Sequence, residues 1–222
     1  MAKAFHIPFT KVRIARFLFL LISMIFLFVV NPFLEGFVGI KLLMDIFLSV
    51  ILLSGIYAVS EKRSLVIVAL LLAFPTFLLH WSYYFLKIPS FLLTANIFGT
   101  IFLAYTAIVI LTHLFRNKEI TIDVIMGSVC VYFLIGLMWG FVYLILESLC
   151  PGSFLIERAT TNNLADFMYY SFVTLSTLGY GDIVPLSSPA RSLSALEAIM
   201  GQLYIAVLIA RLVGIHISQS SD

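Results

Sequence analysis

The sequence predicts an all-α membrane protein with six transmembrane helices and a re-entrant element between the fifth and the sixth. Three observations carry this. Of 222 residues, 62% are hydrophobic and only 11% charged, whereas a soluble domain carries about 25% charged residues; too few polar side chains exist to cover a surface facing water. Mean hydropathy is +1.13. Six apolar runs each reach the roughly 20 residues that a bilayer crossing takes, and a seventh is too short to cross. Little chain is left for a domain outside the membrane. The formal charge of +2 comes from 13 basic and 11 acidic residues that are scattered between apolar runs, which argues against nucleic-acid binding.

The first span, Val12–Val30, is preceded or begun by Lys3, Lys11, Arg13 and Arg16. Asn31-Pro32-Phe33 after it offers no small-residue cleavage site, so it reads as a retained span and not as a secretory signal. The second, Phe37–Val59, carries Lys41 and Asp45 four residues apart, the spacing of a local ion pair on one helical face. The third is Leu65–Leu86. The fourth, Phe91–Phe115, contains no Lys or Arg. The fifth, Ile122–Leu146, holds Gly136 and Gly140 in a GxxxG pattern that reads as helix packing, and the sixth is Ser192–Ile215. Between the last two lies Glu147–Arg191, too long for a tight turn, with the short apolar stretch Phe167–Leu175 inside it. Irregular backbone at membrane depth is tolerated only when buried in protein or lining a water-filled path, so function is sought there.

Orientation follows from Lys and Arg in the flanks. The N-terminal group, Lys62 and Arg63, Arg116 and Lys118, and Arg211 fall on one side; Lys87, Arg158 and Arg191 fall on the other. Both termini are expected to be cytoplasmic in a multi-pass protein of the cell membrane. Cys130 inside the fifth span and Cys150 beyond its outer end are separated by roughly 30 Å of helix, beyond disulfide reach, and read as free thiols. His80 and His113 show no partner motif and read as residues bonded to neighbouring helices.

Asp166–Pro185 reads DFMYYSFVTLSTLGYGDIVP. A path that strips water from a cation must replace the hydration shell with oxygens, and backbone carbonyls do so without full negative charge. An ordinary strand alternates its carbonyls between two sides. Aiming successive ones the same way needs unusual dihedrals, which Gly179 and Gly181 supply because glycine lacks a Cβ. Thr177 adds a hydroxyl at the inner end, Tyr180 points away from the axis, and Tyr169 and Tyr170 are the aromatics available for packing and hydrogen bonding around it. The C-terminal end of the short helix, near Ser176, bears roughly half a negative charge and favours a cation below it.

Thr177-Leu178-Gly179-Tyr180-Gly181-Asp182 resembles the potassium-channel signature, usually TVGYGD, and about Val124 to Gly214 resembles a pore module of outer helix, pore helix, filter and inner helix. The resemblance is to the bacterial six-transmembrane potassium channel family. It implies K+ bound and passed by Thr177, Leu178, Gly179, Tyr180 and Gly181, with the ion contacting oxygens of Thr177 through Tyr180, and a filter supported by Asp182, Tyr169 and Tyr170. Two departures stand out. Leu178 replaces the usual valine, and Val173 stands where some relatives carry a glutamate that pairs with the filter aspartate, which leaves Tyr169 as the candidate partner of Asp182. One filter loop per chain implies a homotetramer around one axis. Residues 1–118 then form a four-helix unit similar to a voltage sensor but without gating charges, and residues 119–222 the pore domain.

Along the sixth span, Gly201 resembles the gating glycine of relatives, with helix packing as the competing explanation. If Gln202 faces the cavity, then Ala206, Ile209 and Val213 follow on that face, and Ile209 with Val213 is expected to form an inner constriction. Glu197, about one turn above Gly201, must be paired, hydrogen-bonded or protonated at that depth; a structural bond to Ser171 or Thr174 is the first expectation and a gating role the second. The expected function is passive, potassium-selective conduction without intrinsic voltage gating, requiring no cofactor and no partner but K+, membrane lipid and copies of the chain. A weakly selective cation channel is the alternative. An enzyme is not expected, because paired aspartates and adjacent histidines are missing from the spans. The sequence ends shortly after the sixth span, so no cytoplasmic ligand-binding domain is expected.

Overall fold

A computed structural model describes residues 9–33, 40–60, 62–117, 119–156 and 164–220. The chain runs α1 (Phe9–Phe33), α2 (Ile40–Ala58), α3 (Arg63–Leu86), α4 (Pro89–Arg116), α5 (Ile122–Leu149), β1 (Phe154–Ile156), α6 (Leu164–Leu175), β2 (Ile183–Pro185) and α7 (Ser188–Ser220). Among the described residues, α3, α4, α5 and α7 are long and apolar enough to cross a membrane, and shorter apolar stretches occupy Phe17–Val29 and Ile46–Ala58. Two features differ from expectation. α1 continues through Asn31-Pro32 to Phe33, and β1 pairs antiparallel with β2, Leu155 opposite Val184. Three-residue strands carry too little periodicity to be read from a sequence.

Local chemistry sets the helix ends. Pro89 opens α4 at a position where its missing N–H is no loss. The Val124 amide donates to Thr121 Oγ1 (3.3 Å) at the start of α5, with Asp123 in that first turn facing the positive end of the helix dipole. α3 ends on Lys87 in the left-handed conformation, whose N–H reaches the Tyr83 carbonyl.

α4 packs between α3 and α5, α1 lies against α2 and α5, and α6 is held between α5 and α7. One apolar core runs through the larger bundle, with Leu20, Met24, Ile51, Phe102, Ile110 and Leu134 almost fully buried. A smaller aromatic cluster, including Tyr143, Phe154, Phe167 and Tyr170, fills the space between α5, α6 and the strands. Gly136 and Gly140 both face α6: a Cβ at Gly136 would lie 2.5 Å from the Phe172 ring, and one at Gly140 3.1 Å from Met168 Cα. The expected packing stripe therefore receives the short helix, not another long one. Cys130 is buried and Cys150 exposed, both free. Of the remaining expectations, the side chains of Lys11, Arg13, Arg16, Lys41 and Asp45, and the residues Lys3, Lys118 and Arg158, lie outside the described residues.

Candidate functional site

The segment after α6 folds back onto the end of that helix. The last four carbonyls of any helix lack intrahelical donors, and here the following residues supply donors to three of them. Ser176 N donates to Phe172 O (3.0 Å), Thr177 N to Thr174 O (2.9 Å), and Leu178 N and Gly179 N to Val173 O (2.9 and 3.4 Å). In a trans peptide the carbonyl points opposite to the N–H of the next residue, and no cis bond occurs among the described residues. The Ser176, Thr177 and Leu178 carbonyls therefore point away from α6.

Dihedrals carry the pattern onward. φ is positive at Thr177 (60°), Gly179 (60°) and Gly181 (81°), and is not positive at Leu178 or Tyr180. Alternating the sign of φ turns successive peptide planes the same way and aligns carbonyls that an ordinary strand would alternate. Glycine adopts the left-handed values without penalty. Thr177 does not, and a β-branched residue there is an outlier of the kind that concentrates at functional sites. Its hydroxyl accepts a hydrogen bond from Gln202 Nε2 of α7 (3.4 Å).

The outer end of the segment is tethered on two sides. Tyr169 OH donates to Asp182 Oδ2 (2.8 Å), the pairing expected in place of the glutamate that Val173 lacks, and Ile183 N donates to Asp182 Oδ1 (3.2 Å). β2 then pairs with β1, and Leu186 N donates to Ser153 O (2.8 Å). The turn before β1 is organised by Glu147, 7% exposed, whose carboxylate accepts the Gly152 and Phe154 amides (2.8 and 3.2 Å). Reading the sequence missed Glu147, although an acid closing an apolar span four residues before a Pro-Gly turn was a usable signal.

Tyr170 is the second of the two expected aromatics. It packs edge-on against Tyr143 and Phe154, and its hydroxyl lies 2.6 Å from Ser194 Oγ of α7. It faces α5 and α7, about 100° around α6 from Tyr169. Tyr180 is 67% exposed in the single chain and Leu178 60%.

Glu197 is fully buried. Its Oε2 accepts a hydrogen bond from Tyr143, and its Oε1 lies 2.5 Å from Ser171 Oγ, which is also 2.7 Å from the Gly136 carbonyl oxygen. The expected link to α6 is present through Ser171, and Tyr143 on α5 was not foreseen. A Cβ at Gly201 would overlap the Leu175 carbonyl oxygen, so close approach to α6 alone confines this position to glycine. Ile209 and Val213 are 56% and 51% exposed, on a helix that only α5, α6 and β2 cover substantially within the chain. His113, for which no partner was evident, lies 3.1 Å from Asn117 Nδ2 and 3.8 Å from Asp123 Oδ2; both partners lie within ten residues but on different elements.

Taken together, these contacts present a row of uncharged backbone oxygens to one side, which is suited to replacing water around a monovalent cation. Residues 129–216 match a family described as ion channel. A two pore potassium channel of Oryza sativa subsp. japonica is 35% identical over 63 residues, 28% of this chain and 14% of that protein. Two-pore potassium channel 4 of Arabidopsis thaliana is 37% identical over 67 residues, 29% and 24%. An inward rectifier potassium channel of Paramagnetospirillum magnetotacticum is 38% identical over 52 residues, 23% and 18%. The chain thus matches less than a quarter of the length of each of these relatives. No solved structure matches. Over α5, α6, the segment after it and α7, the chain resembles potassium channels.

Proposed function

We propose that the chain is one subunit of a homotetrameric potassium channel, six spans per subunit with both termini cytoplasmic, that passes K+ down its gradient. The observation that carries this is the set of amides at Thr177, Leu178 and Gly179 donating back to α6, since it commits the carbonyls between them to the opposite side. In this reading α6 is re-entrant, and Thr177, Leu178, Gly179, Tyr180 and Gly181 form the filter, with K+ held by oxygens of Thr177 through Tyr180. Backbone dipoles attract the ion without the trap that a carboxylate would make. The C-terminal end of α6 adds its partial negative charge on the cavity side.

Four copies around one axis complete the oxygen rings. Support comes from α7, whose Leu196, Leu203, Val207, Ile209 and Val213 are all exposed in the single chain and would meet neighbouring copies, the cavity or lipid. Gly201 and Glu197 act at the junction of α7 with α6, and Ile209 with Val213 forms the inner constriction, closing by dewetting. Residues 1–118 are a peripheral unit and residues 119–222 the pore domain. Purified protein in liposomes with opposed K+ and Na+ gradients tests the whole reading. We expect a reversal potential that follows K+; a value near zero would favour a weakly selective cation channel, and absence of flux would reject conduction.

Voltage provides a second check. Moving one elementary charge across the membrane field is worth about 2.3 kcal/mol per 100 mV, and α4 carries no Lys or Arg before Arg116, its last residue. Open probability should change only weakly between strongly negative and strongly positive potentials. A conductance–voltage curve equivalent to many gating charges would contradict this and direct attention to Lys41 and Asp45.

A further inference from the structure

From Glu197 to Arg211, α7 carries four polar side chains in an otherwise apolar stretch. Three of them are tied to neighbouring helices or their ends. Glu197 bonds Tyr143 and Ser171, Tyr204 OH donates to Ser128 O (2.6 Å), and the Arg211 guanidinium donates to Leu114 O and Asn117 O (2.8 Å to the latter). The fourth, Gln202, is exposed in the single chain and donates from Nε2 to Thr177 Oγ1 (3.4 Å). A primary amide in so apolar a stretch is costly against lipid, and this contact gives it a place away from lipid.

The neighbouring glycine delivers the contact. A Cβ at Gly201 would overlap the Leu175 carbonyl oxygen, so α7 comes against the last turn of α6 at a position without a side chain. Gln202 follows about 100° around α7 and reaches Thr177, two residues beyond Leu175. The Ser176 hydroxyl between them donates to Phe172 O (2.6 Å) and is spent on α6. At Thr177 the chain keeps a β-branched residue at φ 60°, against a preference that glycine would meet, which marks its side chain as used.

A hydroxyl oxygen has two lone pairs. Gln202 takes one of them, and a cation at Thr177 Oγ1 meets the other on an oxygen already drawn toward an N–H. We propose that Gln202 weakens cation binding at the innermost, Thr177 end of the filter, so that K+ is released to the cavity instead of resting there. This rests on the channel reading above. A conducting site must bind strongly enough to admit the ion and weakly enough to let it leave, and Gln202 serves the leaving. It is a positioning residue, acting on the ion through the Thr177 oxygen.

The probe is Ba2+, close to K+ in size with twice the charge, and so held more strongly by the same oxygens. Block of single channels by Ba2+ from the inner side, and calorimetric titration of Ba2+ into the purified, assembled protein, are compared in wild type, Gln202→Met and Gln202→Leu. Met keeps the length of the side chain and removes the N–H. We expect both variants to bind Ba2+ about tenfold more tightly, since four long bonds are lost at once, and unitary K+ conductance to fall. If Gln202 served only as polar lining of a water-filled cavity, the same substitutions would remove favourable dipoles and weaken Ba2+ binding. Thr177→Val keeps the branched shape and removes the oxygen; in that background Gln202→Met should change the calorimetric affinity by less than about twofold. Unchanged or weaker Ba2+ binding in Gln202→Met, or the full tenfold gain in the Thr177→Val background, overturns the proposal while leaving a conducting wild type as a channel. A wild type that neither conducts nor takes up Ba2+ rejects the channel reading itself, and this role of Gln202 with it.

Discussion

Gly179→Ala abolishes potassium flux and leaves the protein folded and assembled. The added methyl has room, since nothing lies within 4 Å of the position a Cβ would take; the obstacle is the backbone. At φ 60° an L-residue with a Cβ is disfavoured by about 1–2 kcal/mol. Four copies around one axis raise this to on the order of 4–8 kcal/mol, relieved by rotating the peptide and turning a carbonyl out of line. Because Thr177 already occupies a left-handed conformation two residues earlier, the segment has little slack to absorb a second strained residue. Flux of the purified variant in liposomes should fall to background while its elution on size exclusion matches wild type. Conduction with wild-type selectivity would show that Gly179 does not belong to the filter.

The second large effect is expected at Glu197. Its carboxyl meets two hydroxyls in a fully buried setting, and Glu197→Ala leaves the Tyr143 and Ser171 hydroxyls without that partner. Ser171 keeps the Gly136 carbonyl as an acceptor, so the hydrogen-bond loss is that of one buried hydroxyl, about 1–3 kcal/mol per subunit, seen as a lowered melting temperature in detergent and loss of the assembled species. Glu197→Gln keeps the shape and most hydrogen bonds and separates structure from regulation. Ser171 has one hydrogen to give but two acceptors in range, Glu197 Oε1 and Gly136 O. An ionised carboxylate takes that hydrogen; a protonated one gives its own and frees Ser171 for Gly136. The amide can imitate the second arrangement only. We expect the first, so Glu197→Gln should be weakened in stability or conductance at every pH. Single-channel open probability measured against pH in both proteins decides: a titration in the wild type that the Gln variant lacks would assign Glu197 a regulatory role.

Length and hydropathy in the sequence were sufficient for the long helices, because burial of about 20 successive apolar residues in lipid requires backbone hydrogen bonds to be satisfied within the segment. The short helix Leu164–Leu175 was legible from Phe167–Leu175 for the same reason. The string Thr177–Asp182, the proposed filter, was legible because its demand is local: glycine at alternate positions is needed for dihedrals that other residues resist. Even the Tyr169–Asp182 bond could be anticipated, since the glutamate of relatives was replaced by Val173 and few polar groups remained nearby.

Contacts between distant segments were decided by the tertiary structure alone. Arg211 entered the sequence reading only as one positive charge among several, yet it bonds residues 97 and 94 positions away. Ser171 was one of two hydroxyls expected for Glu197, but the choice between it and Thr174, and the addition of Tyr143, waited on the rotation of α5 and α6. Gly201 read equally well as hinge or packing residue, and the close contact that a packing residue needs became visible only with α6 placed against it. Periodicity in a sequence reports which residues share a face, and a positive φ reports where glycine is needed; neither reports which other face is opposite. That choice is made by packing complementarity among helices whose lipid-facing and protein-facing residues are equally apolar, and it therefore appears only in the folded chain.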